Sequence, residues 1–285
     1  MTTLQQIPYY EAYIKIGALE IPAMPGMSLT APQNWVVPPM IGNRFPVNVG
    51  KGARNASIDV SLIVRDKATE ALSTSFLGLF NTRGSLPYDN TAIITGGITF
   101  WNGNSGFVMK GAKPESISLA CSYGEDIQLN CRFVGSDEEG LNTCLTVIST
   151  PPTLPSWDCT PELRFEACNF SSPLTNEVWR FGLSYSNNHR PSRAMHGGVF
   201  PIYMNAGQPS AAFNIMVQEL ASVPSDESPV TLSIAGTAFT RNFTLNRIKD
   251  NTPDNLSVEV PESMRMHDYL CLSDCPISAG ILTIS

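Results

Sequence analysis

The sequence predicts a mainly β protein, of the β-sandwich or barrel-like kind with one short helix, arranged as two tandem duplicated domains. Three observations lead to this prediction. Short runs that alternate apolar and polar residues dominate the chain. A segment near residue 50 has a counterpart near residue 205, and a proline-rich stretch lies between the two.

Strand patterns account for most of the chain. Residues 56–64, ASIDVSLIV, alternate apolar with polar side chains, which is the period of two expected of a strand with one buried face. Residues 116–134 predict a hairpin that turns at residues 123–126. Further strands are predicted in the second half of the chain, at residues 213–218, 230–236, 239–245, 256–260 and 280–285.

One helix is predicted, over residues 66–80. Asp66 is a suitable N-cap, and Leu72, Phe76 and Phe80 recur at helical spacing. This apolar stripe indicates packing onto a sheet. The corresponding residues 219–226 of the second half contain a proline and predict no more than a turn.

The chain contains an internal repeat with an offset of 155 residues. Residues 42–62, GNRFPVNVGKGARNASIDVSL, align without a gap with residues 197–217, GGVFPIYMNAGQPSAAFNIMV. Two glycines and a Phe-Pro step match, and the apolar alternation keeps its phase. A weaker likeness downstream places Cys131 near Cys271. Since solenoid repeats run to about 50 residues, this period indicates duplication of a whole domain.

A proline-rich stretch separates the two copies. STPPTLPSWDCTP carries four prolines, which disfavour a helix or a central strand. We therefore predict a first domain at residues 1–148, a linker at 149–157 and a second domain at 158–285.

Composition and charge exclude several classes of function. The net charge is −7 and no Lys/Arg cluster is present, so a surface that grips nucleic-acid phosphates is not predicted. The first residues lack the features of a signal peptide, and no run approaches the roughly 18 apolar residues of a membrane helix. We expect a chain made in a cytoplasm that is not inserted into a membrane.

The sequence predicts no enzyme activity, no metal and no cofactor. It contains no Gly-x-Ser-x-Gly elbow and no His-Glu-x-x-His motif, and its three histidines lack metal-ligand spacing. The seven cysteines form no Cys-x-x-Cys pair. Buried thiols in strands and cross-links between subunits in an oxidising medium both stay open.

Two long polar excursions precede the Phe-Pro steps, at residues 30–44 and 186–199. Loops of about 15 residues are uncommon in compact domains unless they have a function. Their Trp, Met and Arg side chains suit a contact surface. The candidate contact residues are Trp35, Val36, Met40, Arg44, His189, Arg190, Arg193, Met195 and His196.

The order of these features resembles the tail tube, or major tail, proteins of tailed bacteriophages, some of which carry two fused copies of the tube domain. The resemblance implies homotrimeric rings of pseudo-sixfold symmetry, stacked into a tube in the virion tail after assembly in the host cytoplasm. Strands of neighbouring subunits would join into an inner barrel. The excursions would reach the next ring, and other tail proteins would be partners. DNA would pass through an acidic bore without specific binding.

Two other functions stay open. A baseplate hub or distal tail component would share the fold but stop at one ring. A carbohydrate-binding β-sandwich or a hydrolase would use exposed aromatic side chains, for which the candidates are Trp101, Trp157 and Trp179.

Overall fold

A computed structural model confirms the mainly β fold. The structure describes residues 12–17, 19–22, 27–31, 35–36, 50–51, 54–80, 93–102, 105–150, 153, 160–171, 173–174, 178–192, 198–205, 207–218, 223–252, 264–272 and 281–285.

The strands of the first half are, in chain order, β1 (Ala12–Ile16), β2 (Leu19–Pro22), β3 (Ser28–Thr30), β4 (Trp35–Val36), β5 (Gly50–Lys51), β6 (Ala56–Ile63), β7 (Ile98–Asn102), β8 (Gly106–Met109), β9 (Lys113–Ser122), β10 (Gln128–Gly135) and β11 (Leu145–Ile148). Those of the second half are β12 (Cys168–Phe170), β13 (Val178–Ser186), β14 (Arg190–Ser192), β15 (Tyr203–Asn205), β16 (Ser210–Gln218), β17 (Val230–Ala235), β18 (Thr240–Leu245), β19 (Arg247–Asp250), β20 (Met264–Leu272) and β21 (Leu282–Ile284).

An eight-stranded antiparallel sheet contains strands from both halves of the chain. Its order is β3-β6-β10-β9-β13-β16-β20-β19. Both groups of four follow the same rule. If the four strands of a group are numbered in chain order, they lie in the sheet in the order first, second, fourth and third. The two groups join in the middle, where β9 pairs with β13 and Ser118 lies opposite Ser184.

Two smaller sheets also share one order. The first half forms β11-β8-β7-β1 with β2 added at the end, and the second half forms β21-β18-β17-β12. Each excursion supplies one strand of a short ribbon, in which β4 pairs with β5 and β14 pairs with β15. Every described strand of the second half therefore has a counterpart at the same place in the first half.

The hydrophobic core lies on one face of the large sheet. In β6, Ile58, Val60 and Leu62 are buried, whereas Asp59 and Ser61 are partly exposed, as the alternation predicts. One cluster of buried side chains includes residues of all three sheets. The two halves therefore share a core as well as a sheet, although the sequence divides them at a linker.

The repeated glycine has a steric reason in the second half. A Cβ atom on Gly207 would lie 1.8 Å from the backbone oxygen of Asn188. The chain can approach itself this closely only where a side chain is missing. Gly52, its counterpart, lies outside the described residues.

The helix is much shorter than the sequence predicts. It spans Thr74–Gly78 (α1), and its N-cap is Ser73, whose hydroxyl accepts a hydrogen bond from the Phe76 amide at 3.2 Å. Asp66 is not the cap. Its carboxylate accepts hydrogen bonds from the Thr237 hydroxyl at 2.6 Å and from the Thr237 and Ala238 amides, and so ties the two halves together. These bonds, led by that of the Thr237 hydroxyl, lower the pKa of Asp66.

Most predicted strands are confirmed, with shifts of a few residues at their ends. Residues 56–64 form β6, residues 116–134 form the β9–β10 hairpin, and residues 213–218 lie within β16. Residues 230–236, 239–245 and 280–285 contain β17, β18 and β21. Residues 256–260 lie outside the described part of the chain, as does most of the linker at 149–157 and the first half of the predicted turn, residues 219–222.

The register corrects one detail of the repeat. Val60 pairs with Cys131, and its counterpart Ile215 pairs with His267. Cys131 is therefore equivalent to His267, four residues before the Cys271 that the sequence likeness predicts. The sequence likeness is displaced by four residues here. The displacement keeps apolar residues matched with apolar ones, because both strands alternate apolar and polar residues with a period of two.

Candidate assembly surface

The face of the large sheet opposite the core carries mostly small and polar side chains, together with the exposed Met266 and Leu270 of β20. It is lined by Ser61, Gln128, Asn130, Ser116, Ser118, Ala120, Ser122, Gly182, Ser184, Ser186, Ser210, Ala212 and Asn214. Such a face is unsuited to a second hydrophobic layer, because it offers little apolar surface to bury. It is instead suited to contact with water.

Charges of both signs lie on this face. Asp59 is 3.8 Å from Arg132, and Arg180 and Asp268 lie on β13 and β20. On this face, the charges of the described residues are close to balanced. The net charge of −7 is carried elsewhere on the chain.

The two edges of the large sheet come from different halves. β3 forms one edge and β19 the other. Ser28 and Thr30 of β3 are exposed, as are Lys249 and Asp250 of β19. An edge strand presents unpaired backbone groups and is a template for pairing with another chain.

A buried lysine joins the two halves beside their shared strands. Lys113, at the start of β9, is only 1% exposed. Its Nζ lies 2.9 Å from Glu138 Oε2 and donates to the backbone oxygen of Met204 at 3.2 Å. Sequence reasoning missed Lys113, because its carbonyl partner is 91 residues away.

His189 is the one predicted contact residue whose side chain has described partners. Its Nδ1 lies 2.6 Å from Glu115 Oε2, which also accepts a hydrogen bond from the His189 amide at 3.0 Å. The ring is 1% exposed and anchors the start of the second excursion to the first half. Two open pockets of about 330 and 580 Å³ flank it.

The other predicted contact residues are placed only in part. Arg190 lies in β14 and is exposed. Trp35 and Val36 form β4, of which the backbone alone is described. Met40, Arg44, Arg193, Met195 and His196 lie outside the described residues.

An exposed aromatic pair lies at the opposite end of the sheet. Tyr123 is 62% exposed and Trp179 39% exposed, and their ring centroids are 5.1 Å apart. Trp101, predicted to be exposed, is buried at 3% because it lies in β7 beneath Gly106. Trp157 lies outside the described residues.

The described cysteines are free thiols and poor nucleophiles. Cys121, Cys131, Cys144, Cys168 and Cys271 form no disulfide. Burial raises the pKa of Cys121, Cys144 and Cys271 to about 12 and also raises that of Cys131 and Cys168. A thiol with so high a pKa carries almost no thiolate near neutral pH.

Metal-binding clusters and membrane-spanning helices are both absent from the described ranges. These residues contain no group of three His, Cys, Asp or Glu side chains that could hold a metal ion. They also contain no helix with the length and apolar character to cross a membrane.

Comparison with known proteins gives no match, neither to a protein-family profile nor to a curated protein sequence.

Proposed function

We propose that this chain is a structural protein that assembles edge to edge into rings, three copies to a ring, and that the rings stack into a tail tube through which DNA passes. The observation that carries the proposal is the repeated strand order of the large sheet. Two groups of four strands follow each other head to tail, which leaves β3 free at one edge and β19 at the other.

The centre of the sheet indicates how two copies would join. β13 is the counterpart of β3, and it pairs with β9, the counterpart of β19. The same pairing between copies would place β3 of one chain beside β19 of the next. Such a contact is heterologous, and it closes into a ring if the rotation between copies allows.

Three copies of an eight-stranded sheet give a closed sheet of 24 strands. Closure removes both exposed edges. The polar face, with its Ser, Asn and Ala side chains and its balanced charges, is then suited to a water-filled lumen. Without a basic surface, this lumen has no strong attraction for phosphates, so DNA can slide. The number of copies and the DNA cargo rest on the resemblance to tail tube proteins.

Negative-stain electron microscopy of the concentrated protein tests the proposal. We expect long tubes, or stacks of trimeric rings, with a mass in sedimentation that rises with concentration. A single ring that never stacks would favour the hub or distal tail alternative. A protein that stays monomeric up to about millimolar concentration would contradict assembly altogether.

The exposed pair Tyr123 and Trp179 is the observation that favours the carbohydrate-binding alternative, since exposed rings stack on sugars. Glycan-array binding by dilute monomer, lost in Trp179→Ala, would support that function. We expect no glycan binding under these conditions.

Shortening residues 30–44 tests the role of the first excursion. We expect single rings with normal thermal unfolding. Tubes of normal length from this variant would contradict its assignment to ring stacking.

A further inference from the structure

Lys249 stands at an edge of the large sheet in the position that a buried lysine occupies at its centre. Ile58 pairs with Phe133, and its counterpart Phe213 pairs with Tyr269. Phe133 and Tyr269 are therefore equivalent.

The residues that follow Phe133 and Tyr269 in their strands each pair with a lysine. Val134 pairs with Lys113, and Leu270 pairs with Lys249. Tyr269 follows Phe133 by 136 residues, and Lys249 follows Lys113 by the same 136 residues. The strand register thus makes Lys249 the counterpart of Lys113, and the residue type is the same.

A backbone contact supports this equivalence independently. The residue before each lysine accepts a backbone hydrogen bond through its carbonyl oxygen. The donor amide lies just before β7 in the first half and just before β17 in the second half. The Ile94 amide donates to Ala112 at 2.9 Å, and the Glu227 amide donates to Ile248 at 2.7 Å. Both hydrogen bonds stand at the same place relative to the lysine.

The two lysines differ in how far they are buried. Lys113 is covered by the second half of its own chain, where β13 pairs with β9 and the Met204 oxygen accepts from Nζ at 3.2 Å. Lys249 is exposed because β19 is the last strand of the sheet. Among the described strands, none of the same chain occupies the position beyond it.

We propose that Lys249 is a subunit-contact residue, buried when the β19 edge of one copy meets the β3 edge of a second copy. The second copy supplies the strand that β13 supplies to Lys113. Its β5 ribbon strand, the counterpart of β15, supplies the carbonyl oxygen that Met204 offers inside the chain. The inference rests on the proposed assembly and names the residue on which the contact between copies depends.

The test compares Lys249→Glu with the wild-type protein and with Lys15→Glu. Lys15 is a partly exposed lysine on β1 of a different sheet, and its Nζ lies 2.6 Å from Glu20 Oε1. Assembly is followed by sedimentation over a range of protein concentrations. We expect Lys249→Glu to need about tenfold more protein or beyond for half-assembly, because a carboxylate would be buried against a carbonyl. Lys15→Glu is expected to assemble as the wild type does.

Each result separates the two proposals. If the wild type assembles and Lys249→Glu assembles equally well, the role of Lys249 is wrong and the assembly proposal stands. If the wild type never assembles, the proposed function itself fails. Thermal unfolding of dilute monomer adds a control for folding. We expect no change in Tm for Lys249→Glu, and a marked decrease would assign Lys249 to the fold of one chain instead.

Discussion

The two halves of the chain order their sheet strands in the same way but fill the core beneath them differently. In the first half, Phe133 meets Phe76 and Phe80 of the helical segment, with ring centroids 5.6 to 6.4 Å apart. In the second half, the equivalent Tyr269 stacks between Phe213 and His267. A repeated strand order therefore does not require a repeated core, provided that each half buries a large ring at the same place.

The first prediction removes the ring on which the core of the first half depends. Phe133→Ala is expected to lower the free energy of unfolding by about 3–5 kcal/mol, because it leaves a cavity beneath α1. Urea unfolding followed by fluorescence measures the loss. Phe133→Leu, which keeps most of the volume, should cost about 1–2 kcal/mol. Equal losses for the two variants would contradict the aromatic cluster.

The second prediction compares the equivalent lysines in the monomer. Lys113→Met is expected to lower the free energy of unfolding by about 2–3 kcal/mol, because the Met204 backbone oxygen loses its buried donor and Glu138 loses its cation. Lys249→Met should change it by less than about 0.5 kcal/mol, since that side chain is exposed. Chemical unfolding of both variants at the same low concentration measures the difference. Similar losses of stability for the two variants would contradict the distinction between β9, which is joined to β13, and the edge strand β19.

The sequence predicts local features of this fold well and distant contacts poorly. The period of two in residues 56–64 locates β6, and the offset of 155 residues gives the register of two strands. The helix is overestimated because Leu72, although buried, belongs to a turn before the Ser73 cap. Spacing alone could not distinguish a buried turn from a helix face.

The candidate surface was harder to predict. The sequence assigns His189 to contacts between subunits, yet its ring is buried against Glu115, 74 residues away. Lys113 has no sequence signal at all, because its burial depends on a backbone oxygen of the other half. The equivalence of Lys113 and Lys249 follows only from the strand register. The sequence alone does not show it, because gaps interrupt the repeat in this part of the chain.

The third prediction concerns the histidine beside Tyr269. Burial first, and then Arg265, lowers the pKa of His267 against the opposing effect of Asp250 and Asp268. Between the ordinary pKa of about 6.5 and the lower folded value, the unfolded chain binds more protons. The free energy of unfolding should therefore fall as pH decreases through this range and be fully present above it.

His267→Phe isolates this contribution, because it keeps a ring beside Tyr269 and removes the titrating group. Urea unfolding at pH 7.5 and pH 5.5 should show a smaller pH dependence in the variant than in the wild type. An identical pH dependence would mean that His267 titrates in the folded protein as it does in the unfolded chain.

The last and smallest prediction makes the second half more like the first. The Tyr269 hydroxyl is buried and has no hydrogen-bond partner among the described residues, and burial raises the pKa of Tyr269. Tyr269→Phe installs the residue type of Phe133 and should leave stability unchanged or raise it by up to about 1 kcal/mol. Tyr185→Phe is the matched control. Its hydroxyl donates to Asn187 Oδ1 at 3.0 Å, so this change should cost about 1 kcal/mol. If Tyr269→Phe costs as much as Tyr185→Phe, the Tyr269 hydroxyl has a partner after all, and the two cores differ by a hydrogen bond as well as by a helix.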